Sequence, residues 1–124
     1  MSAKNVNVPD DLQHLFPLTP AVFFILFALA EGEKHGYAIM QEIARQSAGQ
    51  YKIGPGTLYD NLKKLVRQGL VEETASRSTT SDPRRRYYRL KALGRGVLLA
   101  DVKRLTGVLR EARMRLRVLK PRRA

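Results

Sequence analysis

The residues of this chain that can do chemistry are mostly cations, and they form two clusters. Lys63-Lys64 follow Thr57, Tyr59 and Asn61 and precede Gln68, in a stretch where Leu58, Leu62, Leu65 and Val66 recur at helical spacing. A helix that buries those apolar residues leaves the hydroxyls, amides and ammonium groups on its more exposed surface. Asn and Gln can pair bidentately with adenine, Lys with guanine or phosphate, and Thr or Tyr hydroxyls with phosphate. Asp60 repels phosphate, so it faces away from it or accepts from a cytosine amino group. The second cluster is Arg84-Arg85-Arg86, with Arg77 earlier in the same polar loop. Alternation along a strand puts Arg84 and Arg86 together toward phosphate or a minor groove, with Arg77 in support. The plainer readings are a solvated face for the lysines and charge protection of a strand edge for the arginines.

Other chemistries are poorly supplied. There is no Cys, which excludes thiolate zinc, a disulfide framework and a Cys nucleophile, and fits a reducing cytoplasm. The two histidines, His14 and His35, have no gathered carboxylates, so no metal site is expected. His35, ahead of Gly36-Tyr37, reads as a capping or packing residue. No Ser-His-Asp or paired-carboxylate pattern occurs, and Gly54-Pro55-Gly56-Thr57 lacks the spacing and Lys of a phosphate loop. The chain does not read as an enzyme, and no cofactor is expected.

The elements that position the two clusters can be read in turn. A length of 124 residues allows one domain plus an arm or a long terminal helix. Lys plus Arg number 23 against 11 Asp plus Glu, a formal +12 that favours a polyanionic partner, nucleic acid before anionic membrane. Basicity is concentrated: residues 1–50 carry three basic and five acidic groups, net −2, whereas residues 51–124 carry twenty and six, net +14. The longest apolar run, residues 20–30, is well short of the ~20 residues of a membrane span. Asp10 and Asp11 stand where an export signal places positive charge, so no export signal is read.

Thr19-Pro20 predicts a helix over about 20–31. Ile39 and Ile43, between Gly36 and Gly49, mark a second helix, and Gly54-Pro55-Gly56 opens a third, over 55–68, that Gly69 ends. Two β-prone runs, 70–74 and 86–90, flank the polar loop and predict a two-stranded hairpin. Beyond Ala92 the series Leu98, Val102, Leu105, Leu109, Ala112 and Leu116 alternates spacings of four and three, a helix with a coiled-coil-like seam. In residues 1–17, Leu12, Leu15 and Phe16 fit a short amphipathic helix starting near Pro9. The predicted fold class is mainly α with a small β-hairpin (α+β): a winged helix-turn-helix in which one helix enters the major groove, with a long C-terminal dimerisation helix. The domains are an N-terminal arm (1–17), the winged DNA-binding domain (18–91), and the C-terminal helix with its basic tail (92–124).

At this point a family is recognisable. Leu18-Thr19-Pro20 through Glu31-Gly32, His35-Gly36-Tyr37-Ala38-Ile39, Pro55-Gly56-Thr57-Leu58-Tyr59, Leu65 with Gly69-Leu70-Val71, and Arg84-Arg85-Arg86-Tyr87-Tyr88-Arg89-Leu90 with Gly94-Arg95 together resemble the PadR family of bacterial transcriptional regulators, over about residues 18–96. Having one long helix after the wing, the chain is similar to the subgroup with a short C-terminal region. The resemblance implies a homodimeric repressor of an operator in double-stranded DNA, often released by small aromatic or drug-like molecules. Asp60-Asn61 depart from the Pro and small residue of many members. Lys91-Ala92-Leu93 replace the Thr-Glu that commonly opens the last helix, so its usual hydroxyl cap is missing.

The predicted first helix is apolar almost all round, so it needs cover on more than one side. A parallel two-stranded coil of the last helix would bring Arg115 near Lys120 of the other chain, like charges without relief. Packing of the last helix onto the first helix of a partner is therefore favoured, with Phe23, Phe24, Phe27, Leu98, Val102, Leu105, Leu109, Ala112 and Leu116 at the dimer interface. An effector would lie among Phe23, Phe24, Phe27, Leu105 and Leu109. A filled dimer core is the stronger reading of those same residues, because no polar orienting group accompanies them. The rival function is a general nucleic-acid-coating protein, chromosomal or RNA-binding, held by charge with little sequence preference.

Overall fold

Each of the first helices carries its own punctuation. The computed structural model describes residues 8–74 and 86–119. Helix α1 (Pro20–Leu29) starts at Thr19, whose hydroxyl accepts from the Val22 amide at 3.2 Å, with Pro20 in the first turn where an N–H has no partner to lose. It ends at Leu29, two residues before the expected helix end at 31. Helix α2 (Gly36–Gln46) starts at His35, whose Nδ1 accepts from the Ala38 amide at 3.2 Å, the capping role expected of it. Helix α3 (Pro55–Arg67) has Pro55 in its first turn and closes at Gly69, φ 79°. There the Gly69 and Leu70 amides reach back to the Val66 and Leu65 carbonyls, both at 3.0 Å. Only a residue without a Cβ takes that left-handed turn without strain.

The sheet differs from the expected hairpin. Strands β2 (Val71–Thr74) and β3 (Tyr87–Leu90) pair antiparallel, but a third strand, β1 (Lys34–His35), pairs with the other edge of β3, giving the order β1-β3-β2. Lys34 lies opposite Tyr88 and His35 opposite Tyr87, whose ring meets the imidazole edge-on at 5.4 Å. Val71 opposes Leu90, and Glu73 opposes Tyr88. Those four residues share one sheet face, and the burial of Val71 and Tyr88 identifies it as the face toward the core.

The core joins Ile25, Leu26 and Leu29 of α1, Ile39 and Ile43 of α2, Leu58, Leu62 and Leu65 of α3, and Leu70, Val71 and Tyr88. Each fully buried Leu or Ile contributes roughly 1.5–3 kcal/mol relative to exposure. A short 3-10 helix, Asp10–Leu15, adds Leu12, so residues 8–17 pack onto the same core. Two expectations are corrected. Val66, read as part of the buried face of α3, is 36% exposed, because that face is already filled by Leu58, Leu62 and Leu65. Leu98, read as the first residue of the intersubunit seam, is 7% exposed and belongs with Val97 to the protomer's own core.

Helix α4 (Ala92–Leu119) has 28 residues, about 42 Å at 1.5 Å per residue. Its root is fixed without a hydroxyl cap. The Lys91 amide donates to the Leu70 carbonyl at 2.9 Å, and a Cβ added at Gly94 would overlap that same carbonyl oxygen. Beyond Asp101, every described side chain of α4 is exposed except the half-buried Ala112.

Candidate nucleic-acid interface

Burying Leu58, Leu62 and Leu65 turns the opposite side of α3 to solvent. Thr57, Tyr59, Asp60, Lys63 and Lys64 are exposed, and Asn61 and Gln68 are half-buried. The structure therefore brings the six candidates Thr57, Tyr59, Asn61, Lys63, Lys64 and Gln68 onto α3 or its cap but does not leave all six equally available. The Asn61 Nδ2 donates to the Thr57 carbonyl at 2.9 Å, so its amide is partly spent inside the helix. Arg67, exposed in the last turn, adds a cation that the sequence reading passed over.

Tyr59 is placed by a close approach from α2. Its hydroxyl occupies the space that a Cβ on Gly36 would fill, so Gly36 is what allows the ring to lie against the start of α2 while staying partly exposed. The electrostatic influence of Tyr59 also reaches Tyr88, whose phenol is held above its usual pKa by burial first, then by the charge of Glu73 and by Tyr59. One patch thus gathers the start of α2, the exposed side of α3 and the stem of the sheet.

On that stem, Arg86 pairs with Glu73 and Arg89 with Glu72. Glu73 opposes Tyr88, and Arg86 lies two residues before Tyr88, so the Glu73–Arg86 pair extends the core-side sheet face toward the wing. Glu72 and Arg89 face the other way. The Glu73 hydrogen bond raises the Arg86 pKa, and the Arg89 hydrogen bond lowers that of Glu72. Arg86, read from sequence as a phosphate contact, is thus held by a carboxylate in the free protein. Glu73, Gly36 and Tyr88 were not among the site residues expected from the sequence, although Glu72-Glu73 are a conspicuous acidic pair in a basic region. Arg77 and Arg84 lie outside the described residues.

Comparison with known proteins decides the family. The model of the transcriptional regulator PadR-like family matches residues 25–100. The chain belongs to the PadR-like family. It is similar to the Mycobacterium tuberculosis protein described as transcriptional regulator Rv3488, 38% identical over 88 residues, 70% of this chain and 77% of that one. Among solved structures, a PadR family regulator of Clostridium difficile R20291 superposes with a TM-score of 0.67 at 21% identity, covering 79% of this chain and 99% of that chain. Bacillus subtilis PadR, solved in complex with operator DNA, gives 0.59 at 24% identity, covering 68% and 47%. At those identities the two structures show a shared winged-helix fold.

In this PadR-like chain the aromatic face of α1 is partly occupied from within. Phe24 stacks on Tyr51 at 5.2 Å, and Phe23 packs edge-on to Phe24 at 5.5 Å and tilted to Phe27 at 5.7 Å. Phe27, Val102, Leu105, Leu109 and Leu116 remain exposed. A cleft of about 520 Å³ lies elsewhere, lined by residues 29–33 with Arg89, Leu90 and Arg95, and contains none of the proposed effector residues. Among the described residues no three His, Asp or Glu gather as a metal site, and no helix is long and apolar enough to cross a membrane.

Proposed function

We propose that the chain is a sequence-specific, homodimeric DNA-binding repressor in which α3 reads the major groove and the wing grips adjacent backbone. The observation that carries this is the exposed Thr57, Tyr59, Lys63 and Lys64 on α3, beside a sheet stem that ends in Arg86. Bacillus subtilis PadR, a family member of the same fold, was solved on its operator, which supports the same use here. Dimerisation is supported by the exposed apolar residues of α4 and by Phe27 on α1, which a second copy would cover. Release by a small aromatic effector follows from the family resemblance. Such a molecule would have to compete with packing around Phe23 and Phe27, with Leu105 and Leu109 as the facing apolar surface.

The test is selection of duplexes from a randomised library by the purified protein at fixed salt. A sequence-specific dimer enriches related half-sites about one turn, ~34 Å, apart. Enrichment of nothing supports the charge-driven coating protein and overturns this reading. Asn61→Ala then probes base readout. A bidentate adenine contact would require Asn61 to give up its bond to the Thr57 carbonyl, so the expected loss of discrimination is at the lower end of the usual range, about 1 kcal/mol. Unchanged selectivity removes Asn61 from the base-reading set.

A further inference from the structure

The Glu73–Arg86 pair sits where a basic protein most needs restraint. Residues 51–124 carry net +14, and charge alone gives sequence-independent DNA binding. Arg86 is at the wing end of the core-side face of the sheet, and β2 of that sheet packs against α3. The Arg86 side chain is 63% exposed and that of Glu73 36%, so the pair is open to exchange rather than locked. Glu72 occupies Arg89 on the opposite face, which leaves Glu73 as the acid on this face among the described strand residues.

We propose that Glu73 is a specificity-determining residue: it holds Arg86 in an intramolecular pair that is exchanged for a DNA phosphate only when α3 is fully seated. This rests on the reading of α3 and the wing stem as the DNA-contacting surface. In a loosely held complex no phosphate is fixed near Arg86, and the pair with Glu73 persists. In the seated complex a phosphate oxygen replaces the carboxylate as the charge-assisted acceptor, and the other contacts offset the repulsion between that phosphate and the displaced Glu73. Glu73 thereby weakens nonspecific binding more than specific binding.

The experiment compares wild type, Glu73→Gln, Arg86→Gln and the double variant on two probes: a duplex that the wild type has enriched from a random library, and poly(dI-dC). The Gln replacement at Glu73 is isosteric and partly exposed, and circular dichroism verifies that the fold is kept. Glu73→Gln is expected to bind poly(dI-dC) about two- to fivefold more tightly per subunit, the range of an exposed ion pair. Its salt dependence on that probe should steepen by about 0.9 per subunit, one added phosphate contact. The enriched duplex gains less, so the specificity ratio falls. In the Arg86→Gln background the Glu73 substitution should have no effect on the ratio. An unchanged ratio, or a Glu73 effect that persists without Arg86, overturns the proposal and leaves the DNA-binding reading standing. Failure of the wild type to enrich any duplex overturns both.

Discussion

The two ends of α4 follow the same four- and three-residue spacing and live in opposite surroundings. Val97 and Leu98, near the root, are buried in the protomer's own core, whereas Leu109 and Leu116 are 50% and 65% exposed. Asp101 marks the border: its carboxylate is buried and is met by Arg104, one turn on, at 2.7 Å. A repeating apolar pattern tells which side of a helix seeks cover but not which chain supplies it. The winged part closes its core within one chain, and the shaft of α4 leaves its apolar side open.

The largest test of this contrast removes a side chain from each region. Leu62→Ala, in the closed core, is expected to cost about 2–5 kcal/mol in urea unfolding. Leu109→Ala should leave the protomer's own unfolding nearly unchanged and shift the proposed dimer toward monomer in sedimentation. Ending the chain before Asp101 should give a monomer at micromolar concentration. A dimer that survives the truncation moves the interface off the shaft.

The next effect separates two glycines that each admit a neighbour. At Gly94 the obstacle to a Cβ is the Leu70 backbone carbonyl, which cannot swing aside, so Gly94→Ala should cost about 1–3 kcal/mol of stability. At Gly36 the obstacle is the far end of the Tyr59 side chain, which can rotate away. Gly36→Ala should therefore cost less stability and instead displace Tyr59 on α3, with weaker DNA binding as the readout. Equal stability losses at the two sites would refute the distinction between a rigid and a yielding wall.

The smallest expected effect is acid sensitivity confined to the winged part. Arg45 holds the Glu42 carboxyl below its ordinary value of 4.5, and Arg89 does the same for Glu72. Carboxyls with a lowered folded-state pKa stabilise fully above the unfolded value, and that stabilisation is lost as pH falls from about 5 through the lowered folded values. The thermal midpoint should drop slightly across that interval and less so in a Glu42→Gln, Glu72→Gln double variant. Added salt should shrink the difference, more for the open Arg89–Glu72 pair than for Arg45–Glu42, whose carboxylate side chain is only 13% exposed.

The helices of the winged part were legible because their signals are local. Thr19-Pro20, Gly54-Pro55 and Gly69 each act within a turn of the boundary they set, and Leu58, Leu62 and Leu65 state their face directly. What escaped the sequence depends on register or close approach between distant segments. The two residues of β1 carry no alternation to read, and they become a strand only because β3 offers its free edge. Arg86 meets Glu73 through a pairing set across the wing, and Tyr59 meets Gly36 across 23 positions of chain. Leu98 satisfied the seam pattern as well as Leu105 does, and only the fold shows that the core has already claimed it.

Leu70 has a mechanical meaning. Its amide is tied to the end of α3, its carbonyl takes the Lys91 amide, and Gly94 rests against that same oxygen. A single residue therefore lies at the fulcrum between a short arm, α3, and a long one, the shaft of α4. From Gly94 to Arg117 the shaft extends about 35 Å, so one degree of tilt at the fulcrum moves its far end by roughly 0.6 Å. Read in reverse, the leverage reduces displacement: for a rigid turn about Leu70, a shift of an ångström at the tip corresponds to a rotation of under two degrees, roughly. Were the two arms to turn as one body about Leu70, clamping the distant end of the shaft would set the angle of α3 more finely than an equally firm clamp placed close to the fulcrum.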